Sequence, residues 1–378
     1  MVKAALVLTT IFDPVVLEGY WENFREYNHL DQVQVYLIPD RKTPSQAYER
    51  CEILKRRGMK IVCPTLDEQE TFLKRVGLAP HLIPYNSDNR RNVGYLMALE
   101  SDCEFVISID DDNFCQQQVD FFQDHSVVCQ GEHTEKIINT ATGWFNVCDM
   151  LEYDRPYTTY PRGFPYFARH KEEKILVTES QVDVHVNAGL WLMDPDVDGL
   201  SWLVAPVHSV AFKGQSVVLG RHTWSPINTQ NTALQKDVIA AYYYVKMGYP
   251  LAGMPIDRYG DIFSGYFAQA CVRHLGGAIR AGTPVVEHRR NSHNYMNDAM
   301  NEWACILVME DILPWLMEVR LEGSSYPEVY TALAYAIEDA VEHFSGRIWT
   351  DATRGYFHQI AFYMRTWSAV TSRLLGIA

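Results

Sequence analysis

The 378 residues leave room for one large domain with an appendage, or for two domains at roughly 150 residues each, and 47% hydrophobic against 21% charged residues is the balance of a globular chain rather than a disordered one. Thirty-three Lys and Arg against 47 Asp and Glu give a formal net charge of -14, which repels polyanions at long range and argues against nucleic acid as a partner. An anionic small molecule such as a nucleoside diphosphate is still admissible, given local help from Arg side chains, helix N-termini or a metal.

The opening, MVKAALVLTTIFDP, has an apolar run too short, and too soon followed by Asp13, for a secretory leader. No stretch approaches the roughly 20 apolar residues of a membrane span. Cysteines at 51, 63, 103, 115, 129, 148, 271 and 305 form no CxxC pair, so reduced thiols and a cytoplasmic location are expected, rather than disulfides or zinc ligands. There is no internal repeat.

In chain order, KAALVLTT and VQVYLIPD read as short strands with the helical spacing of PVVLEGYWENFREYNHL between them. SQAYERCEILKRRG (helix), MKIVCP (strand), LDEQETFLKRVG (helix) and SDNRRNVGYLMALES (helix) follow, feeding the apolar strand in EFVISIDDDNF. This alternation predicts an α/β fold with a mostly parallel sheet covered by helices on both faces. From about residue 140 the pattern loosens into aromatic loops, including YDRPYTTYPRGFPYFAR. It tightens at HVNAGLWLMDPDVDG, INTQNTALQKDVIAAYYYV and DIFSGYFAQACVRHLGG, then at the strand TPVVEH. Residues 1–297 are expected to form the main domain and 298–378 a helical region packed on it. There Val329, Leu333, Ala336, Ile337 and Val341 make one packing stripe.

Ligands of such sheets sit outside the carboxyl ends of the strands. Thr9, Thr10, Asp40 and Asp110 to Asp112 occupy such ends, so they are candidate walls of one crevice. Strand alternation would point Asp110 and Asp112 one way and Asp111 the other, and paired carboxylates in a cleft call for a divalent cation or bound protons. Arg91 falls in the first turn of a helix, where a cation is disfavoured unless an anion lies near, which makes it a phosphate-ligand candidate. His288 ends a strand and with Asp112 would offer nitrogen and oxygen to Mn²⁺ or a similar cation; Glu287 and His293 are weaker candidates. Asp261 precedes a helix and could cap it, or face the crevice to position or deprotonate a sugar hydroxyl.

The ordered stretches RNVGYLMALESDCEFVISIDDDNF, RGFPYFAR, NAGLWLMDPDVD, NTALQKDVIAAYY, DRYGDIFSGYFAQACVRHLGGAIRAGTPVVEH and EDILPWL resemble the reversibly glycosylated polypeptides. That family includes the plant UDP-arabinopyranose mutases on the GT-A glycosyltransferase fold. The resemblance runs from about residue 85 to 315. It implies a GT-A domain with a C-terminal helical extension and a metal-dependent glycosyltransferase or sugar-nucleotide mutase acting on a nucleoside diphosphate sugar, UDP-linked by family, with Mn²⁺ or Mg²⁺ as cofactor. It further implies Asp110, Asp112 and His288 at the metal, Asp110 also near the ribose, and Arg91 near the diphosphate; Thr9, Asp40 and Asp111 are expected at the nucleotide from their place at the strand ends. Asp261 would face the sugar, and Arg162 matches the arginine that becomes glycosylated. Asn113 stands where the family usually has Cys, and Gly260 where it has an acidic residue. The acceptor is open among another molecule, water, Arg162 and a hydroxyl of the same sugar, and a homo-oligomer is open too. Two other classes stand beside this one: a non-catalytic nucleotide-sugar-binding subunit of a glycan assembly, and a phosphoryl-transfer enzyme using a strand-end Asp. Phe114 counts against the last, which calls for a small residue at that position.

Overall fold

The apolar runs of the N-terminal third are strands in the computed structural model, which describes residues 3–291 and 293–377. In chain order they are β1 (Ala4–Thr10), α1 (Val16–Glu26), β2 (Val33–Pro39), α2 (Ser45–Arg56), β3 (Lys60–Val62), α3 (Leu66–Arg75), α4 (Arg91–Glu100) and β4 (Phe105–Ile109). Strands β3, β2, β1 and β4 lie side by side and all parallel. Burial on both faces explains why β1 and β4 are apolar at nearly every position instead of alternating. Gly94 lets α4 settle onto this sheet: a Cβ there would stand 2.5 Å from Val7 Cγ1. The helix expected from residue 87 starts as a 3-10 turn over Asp88–Arg90, with the Ser87 hydroxyl accepting from the Asn89 N–H at 3.3 Å, so Arg91 becomes the first α-helical residue.

Beyond β4 the sheet is mixed, so the mostly parallel expectation describes only this half. The remaining strands are β5 (Asn113–Cys115), β6 (Glu132–Thr140), β7 (Leu151–Tyr153), β8 (Ile175–Met193), β9 (Ser209–Phe212), β10 (Val217–Leu219), β11 (Asn231–Gln235) and β12 (Ala278–His288). The order across the sheet is β3-β2-β1-β4-β11-β8-β6-β10-β12-β5, with β12 also beside β8 and with β7 and β9 off this path. β11 runs antiparallel to β4 and to β8, whereas β8 and β12 are parallel. β8 is longer than the sequence reading allowed, because its first half, Ile175–Gln181, is exposed and pairs only with β6.

The helices interleaved here are α5 (Phe121–His125), α6 (Gly199–Val204) and α7 (Gly260–His274); α8 (Tyr295–Glu318), α9 (Tyr326–His343) and α10 (Asp351–Leu375) close the chain. α7 is buried nearly all round, as its small and aromatic residues require. α10 packs against α9, α4 and the 3-10 segment Lys236–Ala241, and the Trp367 indole N–H donates to the Ile239 carbonyl at 2.8 Å. No described helix is long and apolar enough to cross a membrane.

Trp367, 1% exposed, joins the C-terminal helices to the sheet domain. Trp367→Ala is expected to cost about 3–5 kcal/mol, read as a lower urea midpoint in a single unfolding transition. Two separated transitions would mean that residues 298–377 unfold independently.

Candidate active site

A cleft of about 300 Å³ opens at the carboxyl ends of β1, β2 and β4, and Thr9, Asp40, Arg91, Asp110, Asp111, Asp112, Arg162, Asp261 and His288 all line it. Three elements of long-range pairing bring them there. β11 abuts β4 so that the Asp110 N–H donates to the Gln230 carbonyl at 3.2 Å. β5 pairs with β12 in the register Asn113 to His288, which sets Asp112 beside His288. α7 delivers Asp261 in its first turn.

The strand ends at Ile109, so alternation does not govern the three aspartates, and each is held by a different partner. Asp110 Oδ1 accepts from Arg91 Nη2 at 2.5 Å. Asp111 Oδ2 accepts from the Thr10 hydroxyl at 2.5 Å, and burial pushes its carboxyl up to about 6. Asp112 Oδ2 lies 3.4 Å from His288 Nε2. The His288 ring is 2% exposed, and its Nδ1 meets the Asp194 carbonyl at 2.6 Å. A carbonyl only accepts, so Nδ1 carries the hydrogen and Nε2 turns toward Asp112. Two acceptors then face each other unless a proton or a cation lies between them. Burial opposes charge on the ring, but the Asp112 hydrogen bond and charge outweigh it, raising His288 and lowering Asp112.

This donor set, one imidazole nitrogen oriented by a carbonyl behind it and one carboxylate oxygen, fits a borderline divalent cation. Among the described residues no three His, Cys, Asp or Glu side chains converge on one ion position. Asp110, expected as a third ligand, directs Oδ1 to Arg91, and its Oδ2 accepts from no donor among the described residues.

Arg91 is 4% exposed and spends its guanidinium on Asp110, the Ser108 hydroxyl (3.1 Å) and the Thr229 carbonyl (2.9 Å). It neutralises Asp110 where both line the cleft. Asp40, 6% exposed, accepts from the backbone N–H groups of Arg41 (2.6 Å) and Ser87 (3.2 Å), tying the β2 end to the start of α4.

Arg162, 5% exposed, sits between two carboxylates. Nε and Nη2 donate to Asp196 at 2.9 and 3.1 Å, Nη1 and Nη2 to Asp261 at 2.9 and 2.7 Å, and Nη1 also to the Arg258 carbonyl. All five guanidinium hydrogens are engaged. Burial alone would raise the Asp196 carboxyl, but Arg162 beside it prevails and holds it at about 2. Gly163, at φ +86°, turns the chain away immediately afterwards, where a Cβ would meet Ile262 Cγ2 at 2.5 Å. Asp261 therefore does not cap α7, and each of its oxygens retains a lone pair for another donor.

Sequence reasoning missed Asp196, Arg258 and Arg290. Arg258 adopts φ +65°, and its Nε donates at 2.9 Å to Glu302, which is fully buried. Arg290 lines the cleft with Nη1 buried and without an acceptor among the described residues, its guanidinium 5.5 Å from the Trp202 ring centroid. Burial and the neighbouring Arg258 charge both push Arg290 down from its ordinary value. The available signal was the dipeptide Arg289-Arg290 after His288. Only pairing separates the two: Arg289 turns outward to Glu287 at 2.7 Å.

A polar cleft at the carboxyl ends of a parallel half-sheet, with carboxylates on its floor and guanidinium groups on its wall, places this molecule among α/β proteins that bind ligands at strand ends. The chain belongs to the reversibly glycosylated polypeptide family, whose model matches residues 65–374. It is 24% identical over 372 residues to a probable UDP-arabinopyranose mutase 1 of Pisum sativum, covering 96% of this chain and 88% of that one. It is 26% identical over 373 residues to UDP-arabinopyranose mutase 3 of Arabidopsis thaliana, covering 96% and 89%. A glucosyl-3-phosphoglycerate synthase structure from Mycobacterium tuberculosis aligns at TM-score 0.41 and 11% identity, over 82% of this chain and 79% of that one.

Asp196 has its folded value depressed, so its contribution to stability is present above the unfolded value near 3.9 and fades as pH falls toward 2. Asp196→Asn is expected to lower unfolding free energy by about 2–3 kcal/mol at pH 7, and by clearly less at pH 3. Urea unfolding at both pH values checks this.

Proposed function

We propose that the protein is a metal-dependent enzyme acting on a UDP-sugar, as a sugar-nucleotide mutase or a glycosyltransferase. The observation that carries this is Arg290: a guanidinium on the cleft wall with a buried Nη1 that finds no acceptor among the described residues, and whose charge is disfavoured by burial and by Arg258. A diphosphate supplies that anion. The names of the relatives support a UDP-linked sugar, UDP-arabinopyranose first among them.

Asp112 and His288 would hold Mn²⁺ or Mg²⁺, with the free oxygen of Asp110 alongside. When bound, the cation neutralises charge on the diphosphate. The remaining work belongs to the chain. Arg290, with Arg258 near it, takes up charge on the departing diphosphate as the anomeric bond breaks. Asp261 accepts from a sugar hydroxyl and fixes the ring, its own orientation being set by Arg162. Thr9, Asp40 and Asp111 form the nucleotide end of the cleft.

For Arg162 the geometry supports a positioning role. A guanidinium nitrogen becomes a nucleophile only after losing a proton, and two carboxylates here stabilise the protonated form. Glycosylation of Arg162 would have to release at least one of these bonds first.

Incubation with UDP-arabinopyranose and Mn²⁺, followed by NMR of the sugar nucleotide, tests the activity. Appearance of an isomeric UDP-pentose identifies a mutase; loss of the pentose to water or an acceptor identifies a transferase. No turnover of any UDP-sugar, together with no metal-dependent UDP binding, overturns the proposal.

Calorimetry is expected to show UDP binding at least about tenfold tighter in Mn²⁺ than in EDTA, with His288→Ala removing the difference while leaving the melting temperature close to wild type. In Mn²⁺, Arg290→Ser should weaken UDP binding about 10- to 100-fold, the range for losing a charge-assisted contact. Unchanged affinity in Arg290→Ser would remove this residue from the diphosphate site.

A further inference from the structure

Arg221, Arg273 and Arg320 converge on a second cavity, of about 430 Å³, between the turn after β10, the last turn of α7 and the segment leaving α8. His222 and His274 line it as well, and no acidic residue does. In a chain with 47 Asp and Glu against 33 Lys and Arg, this is local segregation of charge. Along α7 the twelve residues from Asp261 to Arg273 span about 18 Å, so the cavity is separate from the cleft.

Arg273 is fixed in place. Nη1 donates to the carbonyls of Gly220 (2.7 Å) and Arg221 (2.8 Å), Nη2 to that of Thr223 (2.5 Å), and the guanidinium lies 4.6 Å over the Trp224 ring. Its Nε is buried with no acceptor. Among the described residues none of the three arginines has a carboxylate oxygen within 4.0 Å. Burial and Arg221 push Arg273 down from its ordinary value, though it keeps its proton at neutral pH. Helix-end carbonyls attract cations, and α7 and α8 both end here, which accounts for His274 and in part for Arg320. They do not account for Arg221 or for the carbonyls that Arg273 takes, which belong to the turn after β10 and not to a helix.

We propose that this cavity is a second ligand site, for a phosphate-bearing small molecule, with Arg273 as its fixed floor and the exposed Arg221 and Arg320 closing on the oxyanion. Guanidinium groups match phosphate oxygens in pairs, and a cavity of about 430 Å³ has the size of a small-molecule site. The same two helices reach both sites: their N-terminal turns carry Asp261 on α7, and Asp298 with Glu302 behind Arg258 on α8.

Inorganic pyrophosphate in EDTA is the probe, titrated calorimetrically into the wild type, the double variant Arg221→Ser/Arg320→Ser, and Arg290→Ser in the main cleft. Both residues of the double variant are exposed, and circular dichroism checks that it folds. Pyrophosphate is expected to bind the wild type and Arg290→Ser alike, and the double variant at least about tenfold more weakly. No heat with wild type up to about 10 mM, equal binding in the double variant, or loss of binding in Arg290→Ser alone each overturns the site. Parallel titrations with inorganic phosphate and glucose 1-phosphate separate the sources. A tighter ester points to a phosphorylated metabolite, and equal affinities to phosphate itself.

Discussion

Seven carboxylates, from Asp40, Asp88, Asp110, Asp111, Asp112, Asp196 and Asp261, line one cleft, and the rest of the site follows from how their mutual repulsion is contained. Each solution is local and different. Asp110 is neutralised by Arg91, Asp196 and Asp261 share Arg162, Asp112 faces His288, Asp111 takes a hydroxyl, Asp40 takes backbone N–H groups, and burial with the nearby carboxylates pushes Asp88 up to about 6. The buried cations nearest the floor are thereby consumed, and Arg290 is left with an N–H that no group among the described residues accepts. A cleft rich in acid can thus still present a free guanidinium to an anion.

That containment depends on strand register. His288 and Asp112 are 176 positions apart and meet because β5 adds antiparallel to β12, opposite Asn113. A slip by one residue would turn His288 to the other face, since side chains alternate along a strand. The parallel pairing of β12 with β8 also brings the Asp194 carbonyl to His288 Nδ1 and so fixes which ring nitrogen faces the cleft. One register therefore sets both the position and the tautomer of the imidazole.

Arg162 plays the matching part on the sugar side. It ties an irregular aromatic loop to the segment after β8 and to the start of α7, three regions with no ladder between them. A buried pair with all donors satisfied fixes geometry even where its net energy is small. α7 and α8 then run from this end of the molecule to the basic cavity at the other, so the two sites share a rigid support.

The N-terminal strands were legible in the sequence, because continuous apolar runs such as AALVL and FVISI are what two-sided burial demands and need no distant partner to be recognised. The acidic strand end, His288 and the Arg162 loop were legible through residue type and order along the chain. Pairing was not. The reading of Asp110 and Asp112 as co-directional assumed a strand running on past Ile109, where β4 ends, and the ion pair of Arg91 with Asp110 left no trace in the sequence. Asp196, Arg258 and Arg290 carry no local pattern that separates them from the neighbouring Asp198, Arg273 and Arg289. Local composition determines which segments can be strands, helices or turns. Which charge finds a partner and which is left for a ligand was decided only when the long-range β11–β4 and β5–β12 ladders closed, because an ion pair depends on distance in space and the sequence records only distance along the chain.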